Sequence, residues 1–60
     1  MNAYFIEHDL KRIATNIKML KNDFKSMNNP EYVESFKCIA RGEIEETIRL
    51  LESIKKEIEK

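Results

Sequence analysis

The sequence contains a single cysteine, Cys38, and a single histidine, His8. One thiol cannot close an intrachain disulfide, and one Cys with one His falls two ligands short of a tetrahedral zinc site. A chain of 60 residues without such supports depends on regular helix packing or on association for its stability. We therefore expect no metal, no cofactor and a reducing, cytoplasmic location for the free thiol.

Glycine and proline are nearly absent, with one of each, while 37% of the residues are charged. This composition is typical of a helix-rich chain. No apolar run approaches the roughly 20 residues that span a membrane. Residues 1–7 also lack the basic segment and apolar core of a signal peptide. The 11 basic and 11 acidic residues cancel, so net charge indicates neither nucleic acid nor membrane, and we expect no membrane partner.

A regular apolar pattern occupies the first half of the chain. Its steps of three and four residues continue for more than three heptads, which is typical of a helix that packs along a seam against another helix. Asn2 can accept hydrogen bonds from the first free backbone amides. We predict a helix over about residues 3–27, with a seam of Ala3, Ile6, Leu10, Ile13, Ile17, Leu20, Phe24 and Met27.

The segment after this helix has the composition of a tight turn. Asn28 tolerates the left-handed conformation that closes many helices. Asn29 is a favourable N-cap, and Pro30 suits the first helical position because its missing N–H would be unpaired there. We predict a turn at residues 28–29, and a connection this short makes the two helices antiparallel neighbours.

A second helix is predicted over about residues 30–59. Gly42 lies in its interior, where glycine destabilises a helix by about 1 kcal/mol relative to alanine. No capping residue follows Gly42 to start a new helix, so we predict a continuous helix, bent at most. The alternative is a three-helix bundle broken at Gly42. The seam of the second helix includes Phe36, Ile48, Leu51 and Ile58.

These elements predict an all-α, antiparallel helical hairpin. Two helices cover only one edge of each other's apolar stripe, and full burial of each large apolar side chain is worth about 1.5–3 kcal/mol. We therefore expect the hairpin to pair into a four-helix bundle, of which a two-fold dimer is the commonest form. A larger protein with a matching groove is an alternative partner.

A basic strip suggests a second function. Lys11, Lys18 and Lys25 recur every seven residues, with Lys21 nearby. Residues 1–29 carry five basic and three acidic side chains, which is a net charge of +2. Residues 30–60 carry six basic and eight acidic side chains, which is a net charge of −2. A lysine strip can follow a phosphate backbone, so a nucleic-acid-binding hairpin dimer is the alternative to a protein-interaction module.

No pattern predicts catalysis or a small-molecule substrate. We expect His8 to be exposed at an outer position and Cys38 to be a partly buried, inert thiol. The acidic run of Glu43, Glu45 and Glu46 does not converge on one atom, because adjacent helical residues point to different sides, and we expect these residues to be solvated. The sequence therefore favours a small non-catalytic regulator or inhibitor that binds, through a helix face, to itself or to a larger protein.

Overall fold

A computed structural model describes all 60 residues as two long helices joined by a short turn. Helix α1 is Ala3–Ser26, a 3-10 turn follows at Pro30–Tyr32, and helix α2 is Val33–Ile58. The helices pack against each other and there are no strands. The prediction of an all-helical hairpin is confirmed.

The start of α1 is fixed by a side chain and by the end of α2. The Asn2 side chain accepts a hydrogen bond from the Tyr4 amide at 3.0 Å, as predicted for an N-cap. The Asn2 amide donates to Glu57 Oε1 at 2.7 Å. Glu57 also accepts from Lys60 at 3.1 Å. These contacts bring the two chain ends together at the end of the hairpin opposite the turn.

The turn differs from the prediction at its first residues. Helix α1 ends at Ser26, and no residue of the chain has a positive φ, so the expected left-handed Asn28 is wrong. Instead the amides of Asn28 and Asn29 donate to the carbonyls three residues earlier, at 3.4 and 3.2 Å. Such 3-10-type bonds satisfy the last carbonyls without a left-handed residue. Asn29 caps the next segment by accepting from the Glu31 amide at 3.1 Å.

Helix α2 continues through Gly42 without interruption. Ala40 and Glu43, on either side of this glycine, are both buried against α1. Packing of this kind stabilises a helix more than the propensity of one residue destabilises it. The three-helix alternative is therefore wrong.

The hairpin is a single layer of two helices. Its Cα atoms extend over 46 × 14 × 9 Å, and its only buried apolar residues are Ile13, Ala40 and Leu50. Stable domains normally consist of at least two packed layers around a core. The two broad faces of this layer therefore decide what the molecule can do.

Candidate protein-interaction face

The interior of the hairpin is partly polar, and this determines where the apolar stripe points. In α1 the residues that face α2 include Asp9, Asn16 and Asp23 together with Ile6, Ile13 and Leu20, all of them buried or half-buried. The predicted seam is thus turned away from α2 by part of a helical turn. Only one of its two rows of apolar residues packs within the hairpin.

The other row of the seam is exposed. In α1, Leu10, Ile17 and Phe24 each directly follow one of the polar interior residues. In α2, Ile44, Leu51 and Ile58 directly follow the buried or half-buried Glu43, Leu50 and Glu57. In two antiparallel helices, the residues that directly follow an interior residue all lie on the same side of the pair. With Ile48, they form one apolar surface, here called the open face: Leu10, Ile17, Phe24, Ile44, Ile48, Leu51 and Ile58.

The opposite flank of the hairpin is defined by residues that directly precede interior positions. Arg12 precedes Ile13 and Glu46 precedes Thr47, and the Arg12 guanidinium donates to Glu46 Oε1 at 2.9 Å across the helices. Apolar side chains are exposed on this flank as well, but the ion pair divides them into separate groups: Phe5, Met19, Tyr32 and Ile39. On the open face no ion pair joins the two helices.

The same ion pair belongs to a small polar network inside the hairpin. The side-chain Nδ2 of Asn16 donates to Glu46 Oε1 and to Thr47 Oγ1, both at 3.2 Å. The hydrogen bond from Asn16, followed by the charge and hydrogen bond of Arg12, holds the pKa of Glu46 below its ordinary value. A buried amide with partners only in one alignment favours that alignment of the helices.

A second polar contact joins Asp23 and Glu43. Their residues are only 9% and 8% exposed, and Oδ2 of Asp23 and both Oε atoms of Glu43 have no hydrogen-bond donor. Two ionised carboxylates can only accept, so they can bond to each other only by sharing a proton. The hydrogen bond to Asp23 that becomes possible once a proton is bound, together with desolvation and charge repulsion, raises the pKa of Glu43.

These two contacts correct the interpretation of the acidic run. Glu45 is exposed as expected, but Glu43 is buried and Glu46 is half-buried in the polar network. The signal was available in the spacing, because Glu43, Leu50 and Glu57 recur every seven residues in line with Phe36. Cys38 is exposed, so the expectation of a partly buried thiol is also wrong. His8 is exposed, as predicted.

The predicted interface residues divide between the two surfaces of the layer. Ile6, Ile13, Leu20 and Phe36 lie in the hairpin interior. The remaining six lie on the open face, namely Leu10, Ile17, Phe24, Ile48, Leu51 and Ile58. Ile44, an apolar residue of the predicted second helix, lies with them on the open face, in the same heptad row as Leu51 and Ile58.

The predicted basic strip lies on the outer edge of α1. Lys11, Lys18 and Lys25 form one exposed row, and none of them makes an ion pair within the hairpin. Lys21 lies one row closer to the open face. A shallow groove of about 270 Å³ beside this strip is lined by His8, Lys11, Arg12, Thr15 and Asn16.

No family model, no curated protein and no solved structure matches this chain. No group of three or more His, Cys, Asp or Glu side chains is placed to hold a metal ion. Neither helix has an apolar stretch sufficient to cross a bilayer.

Proposed function

We propose that this chain is a non-catalytic, cytoplasmic protein-interaction module that acts through its open face. The observation that carries the proposal is the set of seven large apolar side chains exposed on one side of a single helical layer. Exposed apolar side chains grouped in this way and bordered by charged residues are typical of protein-binding sites. A small regulator or inhibitor would bind its target in this way, helix face on helix face.

The geometry also supports the form that such binding takes. A second pair of helices on the open face would complete a four-helix bundle, either from another copy of the chain or from a larger protein. Covering each exposed isoleucine or leucine fully would contribute about 1.5–3 kcal/mol. This gain is large for a 60-residue chain, whose own core supplies only a few kcal/mol.

The open face can be tested with two isoleucines of the same helix. Ile48 lies on the open face and Ile39 on the opposite flank, with nearly equal exposures of 49% and 50%. A photo-reactive benzoylphenylalanine at position 48, activated in living cells, should form a covalent product with a protein. The same group at position 39 is the matched control and should give little product. Equal yields at both positions, or no product at position 48, would refute the proposal.

A nucleic-acid-binding hairpin is the second candidate, and one observation favours it. The exposed row of Lys11, Lys18 and Lys25 is free of acidic partners, so these charges are available to phosphates. Binding through them should weaken steeply as salt rises, because each neutralised phosphate releases counterions.

Replacing these three lysines with glutamine should remove that binding, measured by fluorescence anisotropy with a labelled RNA or DNA. The matched control replaces Lys37, Lys55 and Lys56 of α2 in the same way. Equal losses in both variants, or no binding at low salt, would exclude the basic strip as a nucleic-acid site.

A further inference from the structure

We infer that the carboxyl groups of Asp23 and Glu43 form a binding site for a hard divalent cation between the two helices. The ligands would be carboxylate oxygens and water, the donors that Mg²⁺, Ca²⁺ and Mn²⁺ prefer. The shortage of cysteine and histidine, which argues against a zinc site, does not bear on such an ion. The site lies in the hairpin interior, separate from the open face.

The oxygens of this pair are enclosed and lack hydrogen-bond donors. Asp23 and Glu43 are 9% and 8% exposed. Oδ2 of Asp23 and both carboxyl oxygens of Glu43 are buried and accept no hydrogen bond. Buried carboxylates without a donor are costly unless a positive charge compensates them. Three of the four oxygens therefore need a positive charge beside them, which a solvated acidic surface does not.

No side chain of the protein supplies that charge, since no salt bridge reaches Asp23 or Glu43. The turn segment Pro30–Tyr32 carries only Glu31, which is exposed. Glu46 is the one charged residue within a helical turn of the pair, and the polar network already holds its carboxylate. The residues one turn away are Met19, Leu20, Ser26 and Met27 around Asp23, and Ile39, Ala40, Glu46 and Thr47 around Glu43. The compensating charge therefore has to come from solvent, as a proton or as a metal ion.

Two carboxylates from different helices can hold one cation between them. A shared proton cancels one of the two negative charges, whereas a divalent ion cancels both. No third Asp, Glu, His or Cys joins the pair, so water would complete the coordination sphere, as it commonly does around Mg²⁺. Oδ1 of Asp23 is outside the enclosed set, and a single layer of helices keeps water close. We expect weak binding, with a Kd of about 1 mM, as in the weaker calcium sites.

Such an ion would stabilise the half of the hairpin nearest the turn. The other polar contacts between the helices lie further from the turn, with Asn16 and Thr47 near the middle and Asn2 and Glu57 at the chain ends. Residues 23 and 43 come together only in the folded hairpin, so an ion that binds both of them stabilises the folded state. Binding is therefore measurable as an increase in stability.

The experiment uses Mn²⁺ as the probe and follows thermal unfolding by circular dichroism at pH 7. At a free concentration of about ten times Kd, the folding equilibrium constant should rise about 11-fold, which raises the melting temperature by several degrees. Sodium chloride at the same ionic strength is the control for screening of the two like charges. Glu43→Gln should lose the Mn²⁺-dependent shift. Glu45→Gln, which removes an exposed carboxylate of the same helix, is the matched control and should keep it.

Protons and Mn²⁺ compete for the same oxygens, which makes the shift depend on pH. The pKa of Glu43 is raised above its ordinary value of 4.5, so at pH 4.5 this carboxyl group is mostly protonated. The Mn²⁺-dependent shift in melting temperature should therefore be much smaller at pH 4.5 than at pH 7. Equal shifts at the two pH values would contradict a site made of these carboxylates.

Paramagnetic broadening in NMR spectra locates the ion. Mn²⁺ at a small fraction of the protein concentration should broaden the backbone amide signals of residues 22–24 and 42–44 before those of any other segment, because the effect falls steeply with distance. These two segments are distant in sequence, so their joint broadening is specific for an ion between the helices.

The remaining outcomes would each overturn the inference. Equal stabilisation by Mn²⁺ and by sodium chloride would mean that a proton is the only partner of the pair. A shift that persists in Glu43→Gln, or broadening that is strongest at exposed carboxylates such as Glu31 and Glu59, would mean binding at the surface only. None of these results would touch the proposed function, which concerns the open face.

Discussion

The carboxyl groups of Asp23 and Glu43 face each other between the two helices, and the contact raises the pKa of Glu43. No basic side chain forms an ion pair with either group. Water is never far away, since the hairpin is a single layer. The pair is therefore a source of instability at neutral pH that can be relieved by one proton.

This contact predicts a stability that increases as the pH falls from neutral towards 4.5, the ordinary value for Glu43. A carboxyl whose pKa is higher in the folded state binds its proton more tightly there, so protonation favours folding in this window. The change can be followed by thermal unfolding in circular dichroism. Glu43→Gln should raise the melting temperature by a few degrees at pH 7 and flatten the dependence between pH 7 and 5. Glu45→Gln, on the exposed side, should do neither.

Below pH 4.5 the sign should reverse. The pKa values of Glu46 and Glu57 are lowered, chiefly by hydrogen bonds from Asn16 and Lys60. Their stabilising contribution is complete above the ordinary value and is lost as pH falls through the folded-state pKa. We expect a stability maximum in the weakly acidic range. A stability that rises steadily from pH 3 to pH 8 would contradict the raised pKa of Glu43, and one that falls steadily over this range would contradict the lowered pKa values of Glu46 and Glu57.

Asn16 should matter more for stability than its exposed counterpart Asn22. Asn16→Ala removes the donor to Glu46 and Thr47, and we expect a loss of about 1–2 kcal/mol in the free energy of unfolding by urea. The pKa of Glu46, measured by carbon-13 NMR, should rise at the same time. Asn22→Ala provides the control, because its side chain is exposed. Equal losses in both variants would show that helix propensity is the cause.

Gly42 is a site where a larger side chain should stabilise the protein. A Cβ atom built at this position meets no atom within 4 Å, and the residue is in a regular helix. Gly42→Ala should therefore raise the free energy of unfolding by about 1 kcal/mol. Destabilisation would reveal a close neighbour that the isolated hairpin does not contain.

Ile13 and Ile17 should respond differently to truncation as the protein concentration changes. Ile13 is 8% exposed and Ile17 is 46% exposed. At high dilution Ile13→Ala should cost about 2–5 kcal/mol, as in other cores, and Ile17→Ala much less. Where the open face is covered, the cost of Ile17→Ala should approach that of Ile13→Ala. A difference that is independent of concentration would indicate an uncovered face.

Local features of the fold could be predicted from the sequence because their causes are local. The cap at Asn2, the cap at Asn29 and the helical nature of both segments follow from neighbouring residues. The end of α1 lies within one residue of its predicted position, but its closure differs from the prediction, since a 3-10 closure and a left-handed closure satisfy the same carbonyls. The continuity of α2 through Gly42 was predicted from the absence of a cap after it.

The candidate site was predictable only in part. The heptad pattern identified Leu10, Ile17 and Phe24 as seam residues, but a periodic stripe does not indicate how far a helix rotates about its own axis. That rotation depends on contacts from the other helix, such as Asn16 with Thr47 and Asp23 with Glu43. Residues some 20 to 30 positions apart in sequence have to meet before these contacts exist.

The sequence by itself determined two helices, a short turn and an apolar stripe too wide for one helical neighbour, because periodicity and capping act over a few residues. Only the tertiary structure decided which half of the stripe is buried. The helices pack with Asp9, Asn16 and Asp23 towards the interior, and this rotation leaves the open face uncovered. The physical reason is that packing rotates each helix as a rigid body, so every side chain of the stripe moves together.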